Sequence, residues 1–395
     1  MRYYALRNHF KAKEDRKRVV DGLIALRSLI ADTVPAKDSE DNLLLATWNI
    51  RDFGKLDRRG KGPRLKETFW YIAQIISSFD IVAVQEVNEL DEWEEVMYIL
   101  GDDWDFIASD VTDSALGGNG ERLTFVYDKR KVSFRNIAGE IVLPVKMLIN
   151  KVELARVEEE VKEGAAPPSP TESKEKKEES FYAGKQFRRS PYTVSFQSGW
   201  FKFDLCTVHI YYGEDTGAKL EERIQEIKAV AQYFGTRSEK AYEDGRALIL
   251  LGDFNIMHPE HKTMKALTDN GFTVPGHSQM KSNIGETKYY DQIAFRAKDG
   301  VVRYTASSGS KKGAGVISFF SAVFSSTKEG VDDGYKVYEE SFKSLMKKEN
   351  PTAAEKRKFF EDWRTYQVSD HKPLWVRLET NNAGSYLAHL NAELT

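Results

Sequence analysis

Short apolar runs alternate with turns along most of the chain after residue 42. Several runs, such as LLLATW, IVAV and ALILL, are continuously apolar, which is typical of inner strands covered on both faces. Eight runs predict strands: 43–48, 81–84, 123–127, 192–196, 203–209, 247–251, 292–295 and 374–378. Segments around 69–79 and 220–234 carry apolar residues at helical spacing. Strands with helices outside them predict a layered α+β sandwich.

The first part of the chain has a helical pattern of its own. It predicts one amphipathic helix over residues 2–30, which ends at Asp32 and Pro35. The apolar face of this helix consists of Val19, Leu23, Leu26 and Ile30. We interpret it as an extension packed on the main domain; the alternative is a basic arm for nucleic acid or an acidic partner.

The segment 151–180 differs in kind from its surroundings. Of its 30 residues, 15 are charged, three are proline and none is aromatic, so it cannot bury a core. We predict a flexible insertion within one large domain over residues 41–380, preceded by a helical arm at 1–40 and followed by a tail at 381–395. A second irregular stretch, 299–365, contains a charged helical region at 338–363.

Composition limits the classes of protein to which the chain can belong. Of 395 residues, 41% are hydrophobic, which excludes a mostly disordered protein. The 58 Lys and Arg residues against 61 Asp and Glu residues give a net charge of -3, so binding to nucleic acid would require a local basic patch. The single cysteine, Cys206, and a start without the apolar core of a signal peptide predict a cytoplasmic protein that does not cross a membrane.

A local basic patch is present near one group of predicted strand ends. Residues 51–66 hold seven basic and two acidic residues, and Lys185, Arg188 and Arg189 add further positive charge. A glycine-bearing loop of this kind can follow a phosphate backbone. The alternative is an ordinary solvated surface loop.

Polar residues capable of metal binding or proton transfer recur where apolar runs stop, at strand ends that can assemble a site on rigid supports. They include Asn49, Glu86, His209, Asp253, Asn255, Asp291, Asp370 and His371. Asn49 and Glu86 offer the oxygen ligands that suit Mg²⁺ or Mn²⁺. Two histidines oriented by carboxylates could transfer protons on opposite sides of a phosphorus atom. The set therefore indicates hydrolysis of a phosphate ester.

Other conspicuous residues have simpler interpretations. His258 and His261 are expected to begin a helix rather than to bind zinc, since a third ligand is lacking. The tryptophans at 70, 104 and 363 are expected to pack in the core.

Eight motifs in order resemble the endonuclease/exonuclease/phosphatase superfamily, and most closely deoxyribonuclease I. They are WNIRDFG (48–54), QEV (85–87), GERLTFVYD (120–128), RRSPY (188–192), TVHIY (207–211), GDFN (252–255), YDQI (290–293) and SDHKP (369–373). The resemblance covers residues 43–379 apart from the insertion. It implies a four-layer α/β/β/α sandwich.

The resemblance also implies roles for particular residues. Glu86 would be the principal Mg²⁺ ligand, with Asn49 beside it and Asp370 at the metal side. Arg51 and Arg189 would contact substrate phosphate. The catalytic set would comprise a His209–Glu121 pair, a His371–Asp291 pair, Asp253 acting on the water and Asn255 holding the phosphate. Whether His209 or Asp253 is the general base stays open.

The substrate is less securely predicted than the chemistry. Asn88 stands where deoxyribonuclease I has an arginine that contacts DNA, and the disulfide of the secreted enzymes is missing. We expect a Mg²⁺-dependent endonuclease acting on DNA. The alternatives are a phosphatase or a lipid or small-molecule phosphodiesterase of the same superfamily, and an idle binding module.

Overall fold

The computed structural model describes residues 1–37, 40–55, 59–111, 120–153, 182–304, 313–327, 330–331, 333–381 and 383–394. Its α-helices are α1 (Leu6–His9), α2 (Lys13–Thr33), α3 (Lys66–Ile76), α4 (Leu90–Leu100), α5 (Gly217–Gly235), α6 (Ser238–Glu243), α7 (Lys262–Thr268), α8 (Glu339–Phe342), α9 (Ala353–Gln367) and α10 (Ala383–Glu393). Its strands are β1 (Asn42–Phe53), β2 (Ile81–Val87), β3 (Trp104–Ala108), β4 (Arg122–Asp128), β5 (Ser133–Glu140), β6 (Ile149–Glu153), β7 (Tyr182–Lys185), β8 (Tyr192–Ser198), β9 (Phe201–His209), β10 (Arg246–Asp253), β11 (Asp291–Arg296), β12 (Ala314–Val316) and β13 (Leu374–Glu379).

Two sheets form the centre of the fold. Sheet A has six strands in the order β12-β13-β1-β2-β4-β3, and sheet B has five in the order β11-β10-β9-β8-β5. One apolar cluster, with Leu45, Phe125 and Phe203, fills the space between the sheets. A second cluster packs helices α2, α3, α4 and α9 on the outer face of sheet A, and a third packs α5 and α7 on sheet B. The predicted α+β sandwich with four layers is confirmed.

Strand direction brings the predicted site residues to one edge of both sheets. β1 runs parallel to β2, and β9 runs parallel to β10. The hydrogen bond between Asn49 and Asp253 places the carboxyl ends of both pairs at the same edge. The antiparallel partners β4, β11 and β13 begin at that edge. Residues that end a parallel strand and residues that begin an antiparallel one are therefore neighbours.

The N-terminal segment packs as a helix shorter than the one predicted. Ala12 is extended, with φ -65° and ψ 133°, so the main helix begins at Lys13 rather than at residue 2, and it continues to Thr33. The residues of its predicted apolar face are buried, and α2 packs on α3. Two of its cations form ion pairs within the protein: Arg18 with Glu67 at 2.6 Å and Lys17 with Asp21 at 2.6 Å.

The predicted insertion begins inside a strand. Lys151 and the two residues after it belong to β6, which pairs with β7 in a two-stranded ribbon. The remainder of the predicted insertion lies outside the described residues. The charged helical region predicted at 338–363 is interrupted before α9, where Thr352 and Glu355 form a capping box that starts a new helix.

Within the described part of the chain, no helix has the length and apolar character needed to cross a membrane.

Candidate active site

The predicted site residues meet at the shared edge of the two sheets. Asn49 and Glu86 come from the ends of β1 and β2, whereas His209 and Asp253 come from the ends of β9 and β10. Three others stand where antiparallel strands begin: Asp291 starts β11, Glu121 directly precedes β4, and His371 lies three residues before β13.

Asn49 and Glu86 form a polar pair whose oxygen atoms suit a hard cation. The Asn49 Nδ2 group donates to Glu86 Oε1 at 3.0 Å and to Asp253 Oδ2 at 3.1 Å. The Asp52 N–H donates to Glu86 Oε2 at 2.7 Å. Asn49 Oδ1 is buried and accepts no hydrogen bond from the protein. A buried acceptor without a donor is costly, and a divalent cation bound there would satisfy it.

The backbone of Glu86 is strained. Its φ of 65° lies in the left-handed region, as does the φ of 52° at Asn255. Non-glycine residues in this region cost about 1–3 kcal/mol each and cluster at functional sites. Both positions lie at the edge where the predicted site residues meet.

His209 is held by a carboxylate. Its Nδ1 lies 2.6 Å from Glu121 Oε1, so the Nδ1–H donates to that oxygen and Nε2 is directed into the site. Nε2 lies 3.8 Å from Glu86 Oε1 and 3.6 Å from Asp253 Oδ2. The structure thus brings together the first predicted histidine–acid pair.

His371 is held in the same way. Its Nδ1 lies 2.8 Å from Asp291 Oδ2, and its Nε2 lies 3.7 Å from Asp253 Oδ2. The ring of Tyr290 stacks on the imidazole, with 5.6 Å between centroids and 28° between planes. The Ser369 hydroxyl accepts from the His371 N–H and donates to the carbonyl oxygen of Asn49.

Asp253 stands between the two histidines. One oxygen, Oδ2, faces both Nε2 atoms, and the other, Oδ1, accepts from the Asn255 N–H at 2.9 Å. The Asn255 side chain donates to the carbonyl oxygen of Ile210 at 2.7 Å. This contact uses the amide in the structure, so Asn255 would have to exchange it to hold a phosphate through Nδ2.

Each histidine–acid pair joins the two sheets. His209 ends a strand of sheet B, and Glu121 precedes a strand of sheet A. His371 leads into sheet A, and Asp291 starts a strand of sheet B.

Burial and charge act in opposite directions on the ionisable groups. Burial lowers the pKa of each histidine, but carboxylates outweigh it, raising the pKa of His209 and placing that of His371 well above 6.5. Burial raises the pKa of Glu86, yet the charge of His209 and the two hydrogen bonds leave it below its ordinary value. Burial raises the pKa of Asp253 despite the neighbouring histidines. The histidines are therefore biased towards the charged form.

Candidate ligand atoms of Asp253, Asp291 and His371 also lie within 4.8 Å of one another. Two of these residues are already joined by the His371–Asp291 hydrogen bond. We therefore interpret this group as part of the proton-transfer machinery and retain Asn49 and Glu86 as the candidate metal ligands. The metal ligands predicted from the sequence were also centred on Asn49 and Glu86.

Asp370, the third predicted ligand, is partly exposed and lies 3.4 Å from Arg51 Nη1. Burial raises its pKa, while the charges of His371 and Arg51 oppose the rise. Arg51 is fixed by α9: it donates to Thr365 Oγ1 at 2.5 Å and to the Tyr366 hydroxyl at 2.7 Å, and its guanidinium carbon lies 3.7 Å from the Tyr366 ring centre.

Arg189, the other predicted phosphate contact, lies within the site. Its Nε lies 2.8 Å from Glu121 Oε1, and its Nη1 donates to the carbonyl oxygen of His209 at 3.3 Å. The same Glu121 oxygen thus faces both Arg189 and His209.

Part of the predicted basic loop has a structural role. Arg64 is buried and donates to carbonyl oxygens of Gln367, Asp52 and Arg51, while Lys61 pairs with Asp362. Residues 56–58 lie outside the described residues. Cations of this loop therefore anchor it to α9, which leaves fewer of them for a substrate.

The remaining candidates follow the simpler interpretations. The His261 side chain accepts from the Thr263 N–H and caps α7, and His258 packs edge-on against Tyr289. Trp70, Trp104 and Trp363 are buried.

Four residues around the site were not predicted: Tyr290, Ser369, Thr365 and Tyr366. Tyr290 and Ser369 adjoin predicted residues in the motifs YDQI and SDHKP, so their position was the available signal. Nothing in the local sequence indicates the contacts of Thr365 and Tyr366 with Arg51, which lies more than 300 residues earlier.

The chain is similar, at low sequence identity, to several known proteins. No protein-family model matches the chain. A deoxyribonuclease of Thioalkalivibrio sp. (strain K90mix) is 23% identical over 256 residues, which cover 62% of this chain. The match spans 56% of that protein, a little over half its length.

Similar solved structures cover most of the chain. An endonuclease/exonuclease/phosphatase family protein and a mannosyl-6-phosphatase, both from Bacteroides thetaiotaomicron, each have a TM-score of 0.48 at 16% identity. They cover 86% and 85% of this chain and 98% and 99% of their own chains. TDP2 of D. rerio, complexed with a single-strand DNA product, has a TM-score of 0.43 at 13% identity and covers 85% of this chain and 98% of its own. The chain is thus similar, at these low identities, to a protein named deoxyribonuclease and to structures that include one named as an endonuclease/exonuclease/phosphatase family protein.

Proposed function

We propose that the protein is a divalent-cation-dependent phosphodiesterase of this superfamily, acting as an endonuclease on DNA. One observation carries the proposal: two histidine–acid pairs flank Asp253, next to a Glu86–Asn49 pair with an unsatisfied buried oxygen. The two histidines and Arg189 offer positive donors to a phosphate, and the oxygen atoms of Glu86 and Asn49 lie beside them for a cation. Both stabilise the charge that develops during hydrolysis of a phosphate ester.

The candidate metal ligands are Glu86 and Asn49, with Asp370 nearby. Mg²⁺ or Mn²⁺ at these oxygens would neutralise charge on the phosphate and stabilise the charge that develops during displacement. The protein's own residues supply the remaining steps.

The histidines and Asp253 would divide the proton transfers between them. The raised pKa values of His209 and His371 favour charged imidazoles that donate to phosphate oxygens. We assign Asp253 as the acceptor of the proton from the attacking water, because burial makes its carboxylate more basic. As the water oxygen bonds to phosphorus, the ester P–O bond breaks and the leaving oxygen takes a proton from a histidine.

Two considerations favour DNA as the substrate. Arg51 and Arg189 place guanidinium groups beside the site, and such groups suit phosphate recognition. The similarity to a protein named deoxyribonuclease supports the same choice.

The test is cleavage of plasmid, linear and single-stranded DNA by purified protein with Mg²⁺, with Mn²⁺ and with EDTA. We expect cleavage only with a metal, and a loss of at least hundredfold in His371→Ala and Glu86→Gln, which remove a proton donor and a ligand. Undiminished cleavage by His371→Ala would point to a contaminating nuclease and reject the proposal.

The same preparation separates the alternatives. Phosphate release from a panel of small monoesters without DNA cleavage would indicate a phosphatase. A metal titration without binding would favour an idle binding module.

A further inference from the structure

Arg51 stacks on Tyr366 at one side of the site. A second arginine–tyrosine stack lies on the His209 side. The guanidinium carbon of Arg188 is 3.8 Å from the ring centre of Tyr211. Tyr211 follows His209 by two residues, and its N–H donates to the buried Glu226 at 3.2 Å. The backbone that carries the ring is thereby fixed on α5. The arginine side chain keeps 48% of its surface exposed, so the group is held in place yet open to solvent.

Arg188 and Arg189 are adjacent but face different surroundings. Arg189 is 18% exposed and contacts Glu121 inside the site. Arg188 lies 4.0 Å from Glu222, which also pairs with Lys185 at 3.3 Å. One carboxylate, Glu222, thus lies near two cations.

Carboxylates also limit where an anion could bind. Asp110 and Glu140 line the small cleft that Arg188 borders. They would repel a phosphate from the cleft. The solvent-exposed part of the guanidinium is therefore the part that can receive one.

The two stacks lie at opposite ends of the site. Arg51 contacts Asp370, ahead of β13, whereas Arg189, the neighbour of Arg188, contacts Glu121, ahead of β4. In sheet A, β1 and β2 lie between β13 and β4. These three strand spacings amount to about 14 Å. An isolated phosphomonoester cannot reach across that distance, whereas a polynucleotide carries several phosphates within it.

We propose that the Arg188–Tyr211 stack binds a backbone phosphate of the polynucleotide on the His209 side of the scissile bond. The inference rests on the proposed function and extends it, because a substrate held at both ends of the site is cut internally. The tyrosine orients the guanidinium and limits its motion, which lowers the entropy lost when the phosphate binds.

The test uses Arg188→Gln and a matched control, Arg135→Gln. Arg135 is exposed and lies near the start of β5, at the opposite edge of sheet B from His209. Binding of a labelled oligonucleotide is measured by anisotropy with Ca²⁺ at several salt concentrations. Arg188→Gln is expected to weaken binding about fivefold to tenfold and to reduce the salt slope by about 0.7–0.9, the value for one phosphate contact. Arg135→Gln should match the wild type.

Two further variants test the role of the ring. Tyr211→Phe keeps the stack and should bind like the wild type, whereas Tyr211→Leu should reproduce the loss. An unchanged salt slope in Arg188→Gln overturns the inference, as does equal loss in Tyr211→Phe and Tyr211→Leu.

Catalysis separates this inference from the proposed function. The ratio of kcat/KM for the oligonucleotide to that for bis(p-nitrophenyl) phosphate should fall about fivefold to tenfold in Arg188→Gln, since one phosphate contact is lost. If the wild type hydrolyses the small diester without binding DNA, both proposals fail. If it cleaves DNA and the ratio does not change, only the subsite fails.

Discussion

Tyr290 lies almost parallel to the imidazole of His371, with 28° between the ring planes. The stack covers one face of the histidine, and Asp291 holds its edge at Nδ1. The ring therefore has one orientation in which Nε2 points towards Asp253. Tyr290, the residue before Asp291, thus acts as a support for His371.

Replacement of this support should reduce turnover. Tyr290→Leu removes the ring and is expected to lower kcat on the order of tenfold to hundredfold, because a small displacement of a reacting group is costly. Tyr290→Phe keeps the ring and should stay within a few-fold of the wild type. Steady-state hydrolysis of bis(p-nitrophenyl) phosphate by both variants measures the difference, and equal losses would show that the hydroxyl matters instead.

Removal of the principal candidate ligand should weaken metal binding. Glu86→Gln keeps an acceptor for the Asp52 N–H but loses the negative charge. We expect the Mn²⁺ dissociation constant, measured by calorimetry, to rise at least tenfold. Glu140→Gln changes the charge equally on an exposed strand and serves as the control. Unaltered Mn²⁺ affinity in Glu86→Gln would assign the cation to other residues.

Lys37 is one of the residues that attach the N-terminal segment to sheet A. Lys37 Nζ donates to Asp128 Oδ2 at 2.8 Å and to the carbonyl oxygen of Phe79 at 2.9 Å, and it lies 3.3 Å from Asp80 Oδ1. Both carboxylates are buried. Lys37→Met should lower the free energy of unfolding by about 1–3 kcal/mol, because the buried Asp80 loses its cation whereas Asp128 keeps its pair with Arg130.

A surface lysine provides the comparison for this measurement. Lys17 pairs with Asp21 on the exposed face of α2. Lys17→Met should change stability by less than about 1 kcal/mol in urea denaturation. Similar losses in the two variants would contradict the assigned role of Lys37.

The buried carboxyl of Glu226 should make stability depend on pH. Burial raises its pKa from 4.5 to about 7, against the opposing effects of the Tyr211 N–H and of Arg189 and His209. The folded protein therefore binds this proton more tightly than the unfolded chain does. Its contribution to stability is complete below pH 4.5 and is lost as the pH rises through about 7.

Glu226→Gln removes this dependence. Relative to the wild type, the variant should gain up to about 3 kcal/mol in free energy of unfolding between pH 4 and pH 8. Urea denaturation at the two pH values gives the difference between the proteins. A constant difference would mean that Glu226 does not titrate in this range.

Sequence patterns predicted the strands in which nearly every consecutive residue is buried. Strands such as β10 and β2 are apolar throughout because they are covered on both faces. β5 was not predicted, since most of its residues are exposed and carry no apolar signal. The break before α2 was also missed, because helical spacing alone does not show where the backbone becomes extended.

The site was predictable to the extent that its residues adjoin strand ends. The order of the motifs indicated Asn49, Glu86 and the two histidines, and the structure brings them together. The surroundings of Arg51 were not predictable, because its partner Tyr366 comes from a distant helix. Contacts between remote segments depend on packing, which local patterns do not encode.

The division of each histidine–acid pair between the two sheets has a consequence for how activity is lost. A slip of one sheet past the other by a single residue, about 3.3 Å, would break both pairs at once. Neither sheet alone carries a complete pair, so no fragment containing only one of them could retain the chemistry. The proposed activity would then report directly on the alignment of the two sheets.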